Sequence, residues 1–143
     1  RFRCRRSRNH RDVREREVNG ILLDTHVLLW WLADNPKLPR WMCERIADPE
    51  TLCFVSAATI WEIGIKRALG KLDAPSGLIP ILAEEGFRHL HITLDHAQTA
   101  AALPLLHRDP FDRMLIGQAL VESLAIATLD PAFVDYSAQL LAR

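Results

Sequence analysis

The chain lacks any paired-cysteine motif. Cys4, Cys43 and Cys53 stand far apart, with neither the C-x-x-C spacing of a zinc knuckle nor the dense, even set of a disulfide-stapled domain. A reduced, cytoplasmic setting is the expectation, with Cys43 and Cys53 as core residues. Long apolar runs are also missing: the longest, residues 27–33, is far shorter than the roughly 18 residues needed to cross a bilayer. No secretory signal, internal repeat or low-complexity tract is visible. Net charge is absent as well, with 18 Lys plus Arg against 18 Asp plus Glu.

That zero hides two opposite halves. Residues 1–17 hold eight Arg against Asp12, Glu15 and Glu17, a surplus of +5, so the remaining residues carry −5. The basic stretch has only Phe2, Cys4 and Val13, with Val18 at its edge, as apolar content. Burial of so little surface does not offset the entropy of ordering, and disorder is expected over residues 1–18. One reading is an arm that grips nucleic acid through phosphates. The favoured one is a leader outside the native coding sequence, with Val18 as an alternative start codon. Three acids and weak amphipathic patterning argue against a mitochondrial transit peptide. Residues 19–143 fit one domain with one core, given 49% apolar residues in a chain of 143.

From Gly20 onward strand and helix signals alternate. Ile21, Leu22 and Leu23 read as a buried strand, followed by a helix over residues 25–33. Pro39 suits the first turn of a second helix, residues 39–47, because its missing amide proton would be unbonded there anyway. Residues 51–55 read as a strand, Ser56 as an N-cap, residues 57–69 as a helix and Gly70 as its stop. A helix over 76–85 stopped by Gly86, a strand over 87–92 and a Thr93-capped helix to about residue 103 come next. A loop over 104–111, a helix to 123, a strand over 124–127 and a terminal helix over 136–141 complete the pattern. Strands separated by helical crossovers pair in parallel, so the expected fold is α/β: three layers, α/β/α, around a central, mostly parallel sheet.

In such sheets ligands gather outside the carboxyl ends of the strands. Asp24 ends the first strand there, and Asp130 follows the last one closely. Glu62 lies about one and a half turns into the helix that Ser56 caps, and Asp112 opens the helix leading to the last strand. Asp24, Asp112 and Asp130 each have an ordinary use as a cap, a dipole partner or a turn residue, whereas Glu62, flanked by apolar residues, favours function. As a set they repel one another, and a shared cation is the natural resolution. Oxygen-only ligands point to Mg²⁺ or Mn²⁺ rather than zinc. Such an ion lowers the pKa of water and stabilises charge on a phosphate under attack, which is what phosphodiester hydrolysis requires.

Four segments carry a family likeness: Ile21-Leu22-Leu23-Asp24-Thr25-His26, Ser56-Ala57-Ala58-Thr59-Ile60-Trp61-Glu62-Ile63, His107-Arg108-Asp109-Pro110-Phe111-Asp112-Arg113 and Ala127-Thr128-Leu129-Asp130. In order and spacing they resemble the motif blocks of PIN-domain ribonucleases, above all VapC-type toxins of bacterial toxin–antitoxin pairs. The third block is the most specific, and the resemblance runs from about Asn19 to the C-terminus. It implies that Asp24, Glu62, Asp112 and Asp130 bind the metal, that Thr128 helps hold a ligand or water, and that Asp109 is an outer acid. It also implies a Mg²⁺- or Mn²⁺-dependent endoribonuclease acting on RNA, homodimerisation, and inhibition by a cognate VapB-like antitoxin. The Arg-rich extension departs from the pattern.

For phosphate contacts Arg113 is the first choice because it adjoins Asp112, with Arg108 and Lys66, then Arg67 and Lys71, behind it. His26 and His107 lack metal-ligand spacing, so capping or packing is expected of them. Trp30, Trp31, Trp41 and Trp61 fall in apolar helical stretches and are assigned to core or interfaces rather than base stacking. The rival from another class is a non-catalytic dimeric scaffold of the same fold that binds an antitoxin and operator DNA. A second rival, phosphotransfer through Asp24, wants an acid directly behind the nucleophile, and Thr25-His26-Val27 supplies none.

Overall fold

Strand residues that alternate in sequence are divided between two cores. Ile21, Leu23, Cys53, Val55 and Ala127 pack into one cluster with Val27, Leu28, Met42, Ile46 and Leu82. Leu22 and Ile126, with the half-buried Phe54 and Leu90, pack into the other against Leu115, Ile116, Ala119, Phe133 and Tyr136. This is the period of two that a pleated strand imposes, and the unbroken burial of residues 21–23 and 125–127 means that both faces are covered there. The computed structural model of the chain, which describes Cys4, Arg5 and residues 18–143, is therefore the expected three-layer sandwich.

The sheet has four parallel strands: β1 (Ile21–Leu23), β2 (Cys53–Ser56), β3 (Arg88–Leu90) and β4 (Ala125–Ala127), in the order β3-β2-β1-β4. Leu22 faces Phe54 on one side and Ile126 on the other, which lines up the apolar rows. Six helices are described: α1 (Thr25–Leu32), α2 (Arg40–Ala47), α3 (Ala57–Ala68), α4 (Leu78–Glu85), α5 (Leu94–Ala102) and α6 (Pro110–Glu122). Their ends follow local chemistry. Ser56 caps α3 by accepting from the Ala58 amide, and Thr93 forms a capping box with His96. Gly70 and Gly86, at φ of 68° and 73°, supply the left-handed backbone that follows α3 and α4. Pro39 stands one place earlier than expected, as the N-cap of α2.

β1 is the point where the strand order reverses, with β2 on one side and β4 on the other. The carboxyl edge at that reversal is the usual place of a binding crevice in open α/β sheets.

Two expectations are corrected. The terminal helix over 136–141 is absent: a 3-10 turn, Pro131–Phe133, follows β4, and the chain then returns beside the sheet. Leu140 forms a parallel bridge with Ile126, through Ile126 N–H to Gln139 O at 2.9 Å and Leu141 N–H to Ile126 O at 2.8 Å. The unpaired edge of β4 competes for those backbone groups and wins. Cys43 and Cys53 are both core residues as expected, but Cys43 is disulfide-bonded to Cys4 with the Cα atoms 5.8 Å apart, while Cys53 is free. That pairing depends on tertiary approach across 39 residues, which spacing does not encode. Apart from Cys4 and Arg5, the basic stretch lies outside the described residues. No helix among the described residues is long and apolar enough to cross a membrane.

α5 and α6 cross closely at Gly117, where a Cβ would meet the Ala100 backbone nitrogen at 2.9 Å. Gly64 in α3 has nothing within 4 Å of the same position. Gly117→Ala is therefore expected to destabilise by about 1–3 kcal/mol in urea unfolding, because overpacking outweighs the gain in helix propensity. Gly64→Ala should stabilise by roughly 0.5–1 kcal/mol. Equal signs for the two variants would refute the close crossing.

Candidate active site

The carboxyl edge at β1 and β4 is built from helix caps. Asp24 leaves β1 as the N-cap of α1, its Oδ1 accepting from the Val27 amide at 2.8 Å, and is only 4% exposed. Asp109 caps α6 through Oδ1, which accepts from the amides of Phe111 (2.9 Å) and Asp112 (3.1 Å). Asp130 caps the 3-10 turn by accepting from the Ala132 amide at 2.9 Å. The commonplace role of an acid at a helix start and its position at the sheet edge are here the same fact.

Glu62 reaches the edge from the second turn of α3, 3% exposed. The Thr25 hydroxyl donates to its Oε1 at 2.5 Å, and the Lys66 ammonium pairs with its Oε2. Asp112, in the first turn of α6, accepts from His107 Nε2 at 2.6 Å. Ligand atoms of His107, Asp112 and Asp130 all lie within 4.8 Å of one another, the one such group of three among the described residues. Asp24 and Glu62 fall outside that tight group but are coupled to it, Asp24 to Asp130 and Glu62 to Asp112.

Electrostatics records the crowding. Burial raises the Asp24 carboxyl above its ordinary range, against hydrogen bonds from Thr128 and the Val27 amide, and the Asp130 charge raises it further. Asp112 is pushed up to about 6, first by burial and then by the charges of Asp109 and Glu62, with His107 opposing. Lys66 is raised chiefly by its hydrogen bond to Glu62 and feels Asp109 and Asp112 as well. The donors fit a hard divalent cation: carboxylate oxygens from separate segments, two of them raised chiefly by burial, with one imidazole beside them.

The family model of the PIN domain matches residues 21–139. The chain belongs to the PIN-domain family. Ribonuclease VapC22 of Mycobacterium tuberculosis is 29% identical over 119 residues, covering 79% of this chain and 88% of that protein. Among solved structures, VapBC2 from Rickettsia felis bound to a DNA fragment from their promoter matches with a TM-score of 0.63 at 15% identity, covering 85% of this chain and 96% of that one. A toxin–antitoxin complex from Klebsiella pneumoniae gives 0.62 at 15% identity, with 85% and 97% covered. FitAcB from Neisseria gonorrhoeae gives 0.58 at 20%, with 85% and 96% covered. At these identities the structural matches establish the fold of this PIN domain.

Several polar residues of this PIN domain have uses that sequence reasoning missed. Arg113, expected on phosphate, gives its guanidinium to backbone carbonyls: Nη1 to Pro104 O (2.8 Å) and His107 O (3.3 Å), Nη2 to Leu103 O (2.9 Å) and Ala100 O (3.1 Å). It closes the end of α5 and holds the following loop. His107, expected to cap or pack, stands among the acids; its place five residues before Asp112 was the available signal. Arg108 is exposed and Lys66 is tied to Glu62. Trp31 is a core residue whose indole donates to Glu85 at 3.0 Å, whereas Trp61 is 64% exposed and packs edge-on to Phe111 with ring centroids 5.4 Å apart.

A carboxyl whose pKa is raised from 3.8 to about 6 contributes stability present in full below about pH 4 and lost as pH rises through about 6. At neutral pH in EDTA, Asp112→Asn is thus expected to raise stability, by on the order of 1–3 kcal/mol. The advantage should fade as pH falls from 6 towards 4. Thermal unfolding across that range measures it, and a variant less stable than the parent at pH 7.5 contradicts the charge crowding.

Proposed function

We propose that this chain is a Mg²⁺- or Mn²⁺-dependent endoribonuclease, the toxin of a toxin–antitoxin pair, acting in the cytoplasm. What supports the reading is the group His107, Asp112 and Asp130, ligand atoms within 4.8 Å of one another, with Asp24 and Glu62 coupled to it by charge and with Asp24 and Asp112 raised above their ordinary pKa range. The likeness to a relative named as a ribonuclease points the same way.

In this reading Asp24, Glu62, Asp112 and Asp130 hold the metal. When bound, the ion supplies Lewis acidity, making water more acidic and offsetting charge on the phosphate. The protein's own residues do the positioning. Thr128 steadies Asp24, Thr25 aims Glu62, and the Asp109 cap fixes the turn that carries Asp112. Lys66 and Arg108 supply cations for the RNA phosphates. Water adds to phosphorus, the P–O3′ bond breaks, and the products carry a 5′ phosphate and a 3′ hydroxyl.

Partners follow from surface and kinship. Trp61 and Ile65 in α3 and Leu69 at its C-cap repeat every four residues and are exposed, an apolar stripe on the helix that carries Glu62. We assign it to protein contacts, a cognate antitoxin or a second copy in a homodimer, because the structural relatives are described as toxin–antitoxin complexes, one bound to promoter DNA.

Asp24→Asn and Glu62→Gln are each expected to lower RNA cleavage at least about 100-fold and to abolish growth arrest on expression, with unfolding temperature unchanged or raised. RNA products from the parent should ligate through their 5′ phosphates. Parental cleavage rates in both variants would eliminate the mechanism. A scaffold without catalysis would instead show no Mn²⁺-dependent gain in thermal stability.

A further inference from the structure

The loop between α5 and α6 has the surface of a mobile segment, with Leu105 80% and Leu106 61% exposed, yet its next residue is fixed from both sides. The His107 amide donates to the Tyr136 hydroxyl at 2.7 Å, and its carbonyl accepts from Arg113 Nη1 at 3.3 Å. Tyr136 and Arg113 also hold the Pro104 carbonyl, at 3.0 and 2.8 Å. His107 therefore meets Asp112 from a held backbone, the preorganisation that a ligand or a reacting group needs and that an ordinary surface histidine does not.

We infer that His107 is itself a metal ligand in this chain, joining Asp112 and Asp130 through Nε2 and biasing the site towards Mn²⁺ over Mg²⁺. The inference rests on the metal reading proposed above and adds to it a nitrogen donor. Its ring nitrogen already lies within 4.8 Å of oxygens of both carboxylates, a span that one ion can bridge. Imidazole suits first-row transition metals, whereas Mg²⁺ is held by oxygen. In the metal-free geometry Nε2–H donates to Asp112 at 2.6 Å. On ligation the ring takes the tautomer with its proton on Nδ1, and the Nε2 lone pair turns to the ion.

The full-length protein is titrated with MnCl₂, and separately with MgCl₂, without RNA. Free Mn²⁺ is read by electron paramagnetic resonance, Mg²⁺ by calorimetry, and nitrogen coupling to bound Mn²⁺ by electron spin echo modulation. The parent should show nitrogen coupling. His107→Ala should lose that coupling and weaken Mn²⁺ binding roughly tenfold or more, with Mg²⁺ binding changed less than about threefold. His26→Ala, at the histidine beside Asp24, should keep the coupling. Mn²⁺ bound by the parent without nitrogen coupling, or coupling that survives in His107→Ala, overturns the inference and leaves the nuclease reading standing. His107→Gln keeps a donor for Asp112; parental Mn²⁺ affinity in that variant reduces His107 to a positioning residue and overturns the ligand assignment. A parent that binds no Mn²⁺ removes the metal reading itself.

Discussion

Carboxylates gathered at one sheet edge raise one another's energy, and much of the structure around β1 and β4 answers that repulsion. Each acid has its own local compensation. A backbone amide and Thr128 serve Asp24, Thr25 and Lys66 serve Glu62, His107 serves Asp112, and the Ala132 amide serves Asp130. The compensation is incomplete, because Asp24 and Asp112 remain raised by burial. A fold selected for stability alone would replace such groups with apolar ones or protonate them. Retaining them makes sense where a cation completes the set.

The way the site is held explains why a cationic motif residue turns inward. Asp112 sits at the open start of α6, and the loop before it must bring His107 alongside without a secondary-structure ladder of its own. Arg113 provides donors enough to satisfy the last carbonyls of α5 and two of the loop, a task that its planar fork suits and a lysine would do poorly. Tyr136 closes the same loop from the C-terminal segment, which is itself anchored to β4 through the Leu140 bridge. The chain end and the acid site are thus one mechanical unit.

Elements governed by local chemistry were readable from the residues. Strand placement followed from short apolar runs, helix starts from Ser56 and Thr93, helix stops from Gly70 and Gly86, and the layered fold from alternation alone. That Asp24 and Asp130 would leave the sheet at one edge was inferable from topology, since parallel strands put their carboxyl ends on one side. What escaped depends on contacts between distant residues. Spacing gives no hint that Arg113 faces carbonyls rather than solvent, that Tyr136 reaches back 29 residues to the His107 amide, or that Cys4 meets Cys43. Residues 136–141 looked helical by composition, but an unpaired sheet edge outbid weak intrinsic preference.

Repulsion at the acid edge pushes on α6, and the interior shows what resists it. Ser56, at the end of β2, donates to Gln118 Oε1 at 2.6 Å, and Gln118 Nε2 reaches His91 O and His96 Nδ1, each at 3.4 Å. The Thr93 amide donates to that same Nδ1 at 3.1 Å, which puts the ring proton on Nε2, where it is given to Glu122 Oε1 at 2.8 Å. Gln118 and the buried His96 ring therefore tie α6 to the sheet and to α5, one residue from the Gly117 crossing where backbones touch. A polar chain of this kind tolerates little sliding, because a shift of α6 leaves several buried groups unpaired at once. Asp112 lies nearly two turns away on the same helix, so the lock that fixes Gln118 also sets how far its carboxylate stands from Asp130 and His107. The site keeps its crowded geometry because the helix bearing the strained acid has no inexpensive direction in which to move.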